Sequence, residues 1–407
     1  MFVLEFKART PKPAQINSIN EAIRTLQFVR NKVLRYWIDS KDNGKASLFR
    51  YNTALRKEYP FVEHLNSTAC QVAVERVLIA VNKFFDNCKK KIKGRKGYPK
   101  FQKNNRSVEY KQSGWKLSED KKKITFTDKK GIGTIILIGS RDLNYYQPEQ
   151  IKRVRIIKRS DGYYIQFCIN LDPRDTVKQL EPTKKTVGLD MGLKYFYADS
   201  NGEIVENPRF YREAEKRLKR LNRQKSKKFR QGKKQSHNYL KARNRYARKH
   251  LKVSRQREEF VKRVALRVVQ SSDLIAYEDL KVKNMVKSKL AKSINDVAWT
   301  TFKRWLDYFG YKYGKATIAV PPHNTSQDCS NCGKKVQKSL STRTHKCPHC
   351  GYEADRDVNA AINILKKGLS TLGRREAFKA WGDDTATLIE AILSEQVASM
   401  NQESPHF

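Results

Sequence analysis

The sequence predicts a multidomain α+β protein: a β-barrel domain with an inserted helical domain, then an α/β domain that is itself interrupted by a four-cysteine module. Three observations predict it. Apolar residues alternate at the N-terminus, take helical spacing between residues 14 and 95, and alternate again from Val108 to Leu171. A second apolar run, Val187-Gly188-Leu189-Asp190-Met191-Gly192, carries a single acid. Two Cys-x-x-Cys pairs, Cys329 with Cys332 and Cys347 with Cys350, stand near the C-terminal end with 14 residues between them.

Composition narrows the partners. Lys and Arg number 85 against 41 Asp and Glu, a formal charge of +44. Self-repulsion on this scale destabilises a compact chain unless a polyanion neutralises it, so a nucleic acid is the expected partner, bound with a steep salt dependence. No run reaches the length of a transmembrane helix, and Met1 to Thr10 has no signal-peptide layout. The expectation is a soluble, intracellular, cytoplasmic protein with no membrane partner.

In chain order, Phe2, Leu4 and Phe6 alternate with Val3, Glu5 and Lys7 as a first strand, ended by Pro11 and Pro13. Ile16, Ile19, Ile23, Leu26, Val29, Val33 and Trp37 make one helical stripe; Val74, Val77, Leu78, Val81, Phe85 and Cys88 make another. A shorter helix ending near Pro60 lies between them. Lys89 to Lys103 is a basic stretch broken by Gly94, Gly97 and Pro99. Such a run is commonly a solvated linker, but Tyr98 and Phe101 set among Lys96 and Lys100 also suit a phosphate backbone with stacked bases. Strands follow at Ile124 with Phe126, Ile135 to Ile138, Val154 to Ile157 and Tyr163 to Ile169, with Ser160-Asp161-Gly162 as a hairpin turn. If the first strand joins this sheet, the helices form an insertion in a β-barrel. Asp172 to Pro182 reads as a linker.

In the second half, Val187 to Tyr197 reads as one strand, and Asn201-Gly202 turns it into Ile204 and Val205. Arg209 to Arg257 holds 21 Lys and Arg against Glu213 and Glu215, with thin apolar stripes at Leu218 and Leu221 and at Leu240 and Leu251. That pattern predicts long helices broken near Gly232. A merely solvated helix usually mixes its charges, so Arg217, Arg220, Lys227, Lys228, Arg243, Arg245 and Arg248 are candidate nucleic-acid contacts. A further helix is expected from Phe260 to Val269, a strand at Leu274-Ile275-Ala276-Tyr277 ending in Glu278, a helix bearing Trp299, Phe302, Trp305, Leu306 and Phe309, and a strand from Thr317 to Val320. Val358, Ala361, Ile362 and Leu365 mark a last helix, capped by Asp355, with Asp357 in its first turn.

Strand with Asp190, hairpin, helices, strand ending in Glu278, helix, strand, helix beginning at Asp357: this order matches an RNase H-like fold. Asp190, Glu278 and Asp357 are the catalytic candidates. Carboxylates held together repel one another until hard divalent cations bind, and two magnesium ions ~4 Å apart can activate water and stabilise both sides of a phosphodiester cleavage. Singly, a solvated hairpin Asp190, a Glu278 paired with a local Lys, or an Asp357 favouring the helix dipole is as good a reading. Their joint order favours the site. Cys329, Cys332, Cys347 and Cys350 have the spacing of a structural zinc site, one ion held by four thiolates. His323, His345 and His349 nearby read as solvated or supporting groups. Cys70, Cys88 and Cys168 read as small core residues.

The chain resembles the TnpB proteins of insertion sequences, ancestors of the type V CRISPR effectors. The resemblance rests on Leu26-Gln27-Phe28-Val29-Arg30-Asn31, Lys96-Gly97-Tyr98-Pro99-Lys100-Phe101, Gly188-Leu189-Asp190-Met191-Gly192, Glu278-Asp279-Leu280, Ser293-Ile294-Asn295-Asp296-Val297-Ala298-Trp299, the paired cysteines, and Asp355-Arg356-Asp357-Val358-Asn359-Ala360-Ala361. It implies an RNA-guided DNA endonuclease with a RuvC-like domain, its guide RNA derived from the transposon end, cutting double-stranded DNA beside a short adjacent motif. Asp190, Glu278 and Asp357 would be its metal-binding triad. The implied domains are a wedge barrel at 1–13 and 96–182, a recognition domain at 14–95, a RuvC-like domain at 183–320 and 352–375, a zinc finger at 321–351 and a tail at 376–407. One protein per RNA is expected. A small type V CRISPR effector, or a nuclease-inactive RNA-guided repressor, is the alternative.

Overall fold

The computed structural model describes residues 1–372 apart from 43, 130, 286, 288, 289, 340 and 341; the C-terminal tail expected at 376–407 lies outside the described residues. The chain divides into two compact units, Met1–Pro173 and Arg174 onward.

The first unit begins with β1 (Phe2–Ala8), then α1 (Pro13–Asp39), α2 (Lys45–Glu58), α3 (Pro60–Glu63) and α4 (Ser67–Lys89). Strands β2 (Ser107–Lys111), β3 (Trp115–Leu117), β4 (Lys123–Phe126), β5 (Gly133–Ile138), β6 (Ile151–Arg159) and β7 (Gly162–Ile169) complete it. The sheet order is β2-β6-β7-β1-β5-β4-β3, every pairing antiparallel, with β2 and β3 at the edges. The first strand therefore does join the later ones: Leu4, Phe6 and Ala8 point inward, as the alternation requires. The helices share that core. Ile19, Leu26 and Val29 of α1 and Val74 and Val77 of α4 lie in one apolar cluster with Phe6, Val154 and Phe167 of the sheet.

One feature of this unit has no hydrophobic signal in the sequence. Glu109 of β2 is only 3% exposed and receives Arg76 of α4 at 3.2 Å and Arg153 and Arg155 of β6 at 3.0 and 2.6 Å. Burial by itself would raise its pKa, but the guanidiniums outweigh burial and hold it below the ordinary carboxylate range.

In the second unit, β8 (Thr186–Asp190), β9 (Tyr195–Asp199), β10 (Ile204–Glu206), α5 (Phe210–Ser226) and α6 (His237–Ser271) come first. Next are β11 (Leu274–Glu278), α7 (Val282–Met285), α8 (Ala291–Val297), α9 (Trp299–Tyr313), β12 (Ala316–Val320), β13 (Thr344–Lys346), β14 (Glu353–Asp355) and α10 (Arg356–Leu372). The main sheet runs β10-β9-β8-β11-β12, with β8, β11 and β12 parallel and β9 and β10 antiparallel to their neighbours.

Three expectations are corrected. The apolar run from Val187 to Tyr197 is two strands, not one: β8 stops at Asp190, the chain turns at Gly192, and the aromatic stretch returns as β9, placing Ala198 opposite Asp190. Alternation alone does not register a turn inside a run that is apolar on both sides of it. The helix expected from Phe260 to Val269 is the end of α6, a single helix of 35 residues whose basic first half and apolar second half look like separate elements. Residues 174–182, expected with the barrel, belong to the second unit. Buried Asp273 accepts hydrogen bonds from the amides of Thr183 and Lys184 at 3.1 and 2.5 Å and pairs with Lys315 at 2.5 Å, while Lys315 also donates to Glu181 O.

The sheet is covered on both faces. Val187, Leu189 and Met191 of the β8 end, with Ile275 and Tyr277 of β11, pack against Val261, Val264 and Val268 of α6 and Phe302 and Leu306 of α9. Leu274 and Ala276, pointing the other way, meet Ile364 and Leu365 of α10. Helix α10 lies very close to the strands. A Cβ on Gly188 would overlap Ala361 O and stand 2.8 Å from Leu365 N, and one on Gly368 would meet Ala276 Cβ at 2.7 Å. No described helix is long and apolar enough to cross a membrane.

Candidate active site

Asp190 and Glu278 end neighbouring parallel strands. Because Leu189 pairs with Tyr277, the two acids that follow stand level at the carboxyl edge of the sheet. By the period of two, both point to the α10 face: Asp190 shares it with Gly188, and Glu278 with Leu274 and Ala276. Asp357 enters from above, in the first turn of α10, whose start is capped by Asp355 Oδ1 accepting from the amides of Asp357 at 2.8 Å and Val358 at 3.3 Å. The glycine at 188 is what lets the helix come down far enough to bring that acid in.

Asp190 is the carboxyl on which the other two act. Burial pushes the Asp190 pKa well above the ordinary carboxylate range, and the charges of Glu278 and Asp357 push it further, with Arg356 opposing. Burial also raises Glu278, which is 7% exposed; the Thr325 hydroxyl donating to its Oε1 and the charge of Lys367 pull the other way. Asp357 is gripped by Arg356, whose Nε and Nη2 both donate to Oδ1 at 3.0 and 2.7 Å, and Arg343 stands 3.7 Å from Oδ2. Hard oxygen donors gathered in this way suit a divalent cation.

The thiols of Cys329, Cys332, Cys347 and Cys350 lie within 4.8 Å of one another, and among the described residues they are the one group of three or more candidate ligands so closely spaced. The acids are more widely spread. Cys329 Sγ is 3.7 Å from Cys350 Sγ, and Cys332 Sγ is 3.6 Å from Cys347 Sγ. A tetrahedron of sulfurs about 2.3 Å from a central ion has edges of about 3.8 Å, so the cluster fits one tetrahedral metal and no disulfide. The turns after each pair are set by Gly333 and Gly351 at φ +73° and +72°. His345, expected to be solvated or supporting, is fully buried with Nδ1 against Lys338 Nζ, whereas His323 and His349 are exposed.

Several residues of the motifs carry contacts that the sequence did not disclose. Asn359 Oδ1 accepts from Ser330 N at 2.8 Å while its amide donates to Asp328 O, and Asn363 donates to Thr325 O at 2.9 Å. These bonds bind α10 to the segment leading into Cys329. Asp296, on α8, caps α5 from outside: it accepts from Tyr211 N at 2.9 Å and Arg212 N at 3.2 Å and pairs with Arg257 of α6 at 2.9 Å. A buried Asp in a run of mixed polarity gives no sequence signal that it serves a helix 85 residues earlier.

The candidate nucleic-acid residues face solvent. Arg217 and Arg220 on α5, Lys227 and Lys228 just beyond it, and Arg243, Arg245 and Arg248 on α6 are all exposed, and none forms an ion pair among the described residues. In the first unit, Tyr98 and Phe101 are 49% and 44% exposed, Lys100 is exposed and Lys96 is partly buried with its ammonium on Ile92 O. Arg30 donates to Lys100 O at 3.0 Å and Asn31 exchanges two bonds with Gln102, which lays the segment along α1.

Comparison with known proteins gives two family matches: "Probable transposase" (OrfB_IS605) over residues 166–289 and "Cas12f1-like, TNB domain" over 299–364. The Escherichia coli (strain K12) protein "Putative RNA-guided DNA endonuclease InsQ" is 31% identical over 297 residues, covering 68% of this chain and 70% of that protein. The chain belongs to the TnpB family. The Streptomyces pristinaespiralis protein "Putative RNA-guided DNA endonuclease" is 29% identical to this TnpB-family chain over 377 residues, covering 88% of each. The fold is shared with the protein of the Cas12f1-sgRNA-target DNA complex, at a TM-score of 0.52 over 86% of this chain and 82% of that one, with 15% identity.

Proposed function

We propose that this protein is an RNA-guided DNA endonuclease of an insertion sequence, cutting double-stranded DNA beside a short transposon-adjacent motif by two-metal phosphodiester hydrolysis. Family membership supports the activity. The observation that carries the site is geometric: Asp190 and Glu278 stand level at the carboxyl edge of two parallel strands, with Asp357 in the first turn of the helix packed against them. These three acids would hold two magnesium ions, which when bound supply an activated water and stabilise charge on the phosphate and leaving oxygen. The chain's own residues do the rest. Thr325 orients Glu278, Arg356 orients Asp357, and the close approach of α10 to Gly188 of β8, with its apolar packing on β11 and β12, fixes the acids against the sheet.

The four cysteines would hold one zinc ion, structural because every ligand position is filled by sulfur. The first unit serves as wedge (1–13 and 96–173) and recognition helices (14–95), residues 174–320 and 352–372 as the RuvC-like domain, and 321–351 as its finger. The exposed cations of α5 and α6 and the Lys96–Phe101 segment contact phosphates and bases of the guide RNA and target DNA. Sequence choice then falls to base pairing with an RNA copied from the transposon end, one protein per RNA, in the cytoplasm.

The deciding experiment expresses the protein with its native flanking DNA, sequences the RNA that co-purifies after a high-salt wash, and offers the complex a plasmid bearing the matching target. One discrete RNA with a constant scaffold and a variable end, and cleavage lost in Asp190→Ala with RNA retained, supports the proposal. Heterogeneous cellular RNA and no guided cleavage refutes it.

A further inference from the structure

Neither Glu278 nor Asp357 is oriented by its own element alone. Neighbouring residues on a helix do not face each other. Arg356 nevertheless closes on Asp357, and its geometry explains how: its Nη1 donates to Thr342 O at 3.0 Å and its amide to Arg343 O at 2.7 Å. With one guanidinium nitrogen fixed on the loop, Nε and Nη2 are left facing Asp357 Oδ1, and both side chains are largely buried, 17% and 13% exposed. Glu278 is the last residue of β11, and its Oε1 takes the hydroxyl of Thr325, a residue itself 3% exposed and held through its carbonyl by Asn363.

Both anchors belong to the four-cysteine module. Thr325 lies four residues before Cys329, and Thr342 five residues before Cys347. Closing the thiols fixes both approach segments: β13, running from Thr344 into Cys347, is paired with β14, and Ser330 is clamped to α10 by Asn359 and Lys366.

We propose that Arg356 and Thr325 are positioning residues through which the four-cysteine module sets two of the three carboxylates, so that a metal on the thiols and divalent cations at the acids bind cooperatively. This rests on the reading of Asp190, Glu278 and Asp357 as the cation site. Partners one step removed from a metal commonly change its affinity 10- to 100-fold, and coupling between two sites is reciprocal.

The test uses the full chain and Mn2+ alone as the probe, its binding followed by electron paramagnetic resonance. Arg356→Ala and Thr325→Val should weaken Mn2+ binding by roughly tenfold or more, in protein that is still folded and keeps its zinc content. Thr325→Ser, which keeps the hydroxyl, should bind as the natural protein does. In the second arm, saturating Mg2+ should tighten zinc retention against a competing chelator in the natural protein, and Arg356→Ala and Thr325→Val should lose that effect. If both variants bind Mn2+ normally while Asp190→Asn does not, the positioning role is wrong and the acid site stands. If Asp190→Asn binds Mn2+ as the natural protein does, the acid site itself is wrong. Equal weakening in Thr325→Ser and Thr325→Val would assign the effect to packing and overturn the hydrogen-bond role, and zinc retention indifferent to Mg2+ in the natural protein would overturn the cooperativity.

Discussion

Gly188→Ala tests the packing on which the acid site depends. The added Cβ would stand 2.8 Å from Leu365 N and 2.9 Å from Leu365 Cβ, and closer still to Ala361 O, where ordinary contact begins near 3.4 Å. Two of those atoms are backbone, so no rotamer relieves the overlap. The helix must lift by about an ångström, or the strand must sink into the apolar face beneath. Overpacking of this kind costs ~1–3 kcal/mol, set against the ~0.5–1 kcal/mol that replacing a strand glycine returns. The net should lower Tm by several degrees, at ~2–4 °C per kcal/mol for a unit of this size. The effect on cleavage should be larger than stability suggests. Ala361 is one turn along α10 from Asp357, so the acid moves with the helix, and ~1 Å of misplacement can cost ~100-fold in rate. The assays are thermal unfolding and guided plasmid cleavage, with Gly131→Ala as the control, since nothing lies within 4 Å of a Cβ there. A Gly188→Ala protein that melts and cuts as the natural one does would refute both the close approach of α10 and its role in placing Asp357.

Other substitutions probe separate parts of the structure. Asp190→Asn should raise Tm at neutral pH in chelator while abolishing cleavage. The folded carboxyl holds its proton to a higher pH than the unfolded one, so the natural protein loses stability as pH rises from about 4 through the folded pKa, and the amide removes that loss. A flat Tm difference between pH 4 and 8 would contradict the raised pKa that burial, helped by the neighbouring acids, gives Asp190. Asp273→Asn should behave oppositely. Burial opposes its ionisation, but Lys315 and the amides of Thr183 and Lys184 prevail and keep its pKa low. Its contribution is therefore present above about pH 4 and lost as pH falls below that. Removing one partner of so buried a pair costs ~3–5 kcal/mol, to be read from denaturant midpoints between pH 3 and 7. Cys347→Ser, with its sulfur buried, should abolish metal retention by the cysteine cluster and lower the Tm of the second unit; full metal content and unchanged melting would remove the structural role.

Much of this protein follows from local pattern. The stripes of α1 and α4, the alternation of β1 and the spacing of the cysteines each depend on residues close in sequence, where side-chain period and ligand spacing leave few options. The acids Asp190, Glu278 and Asp357 were legible as candidates for the same reason, since a carboxyl ending or adjoining an apolar run is conspicuous. What tertiary structure alone decided is which distant groups meet. That Leu189 pairs with Tyr277, which sets two acids level, depends on strand register. That Glu109 lies buried beneath three arginines, that Asp296 caps a helix 85 residues away, and that Arg356 is held by Thr342 all follow from packing. The physical reason is that periodicity reports which face of an element is covered, whereas the partner covering it is selected by the sum of many weak contacts across the fold, and no short window of sequence contains that sum.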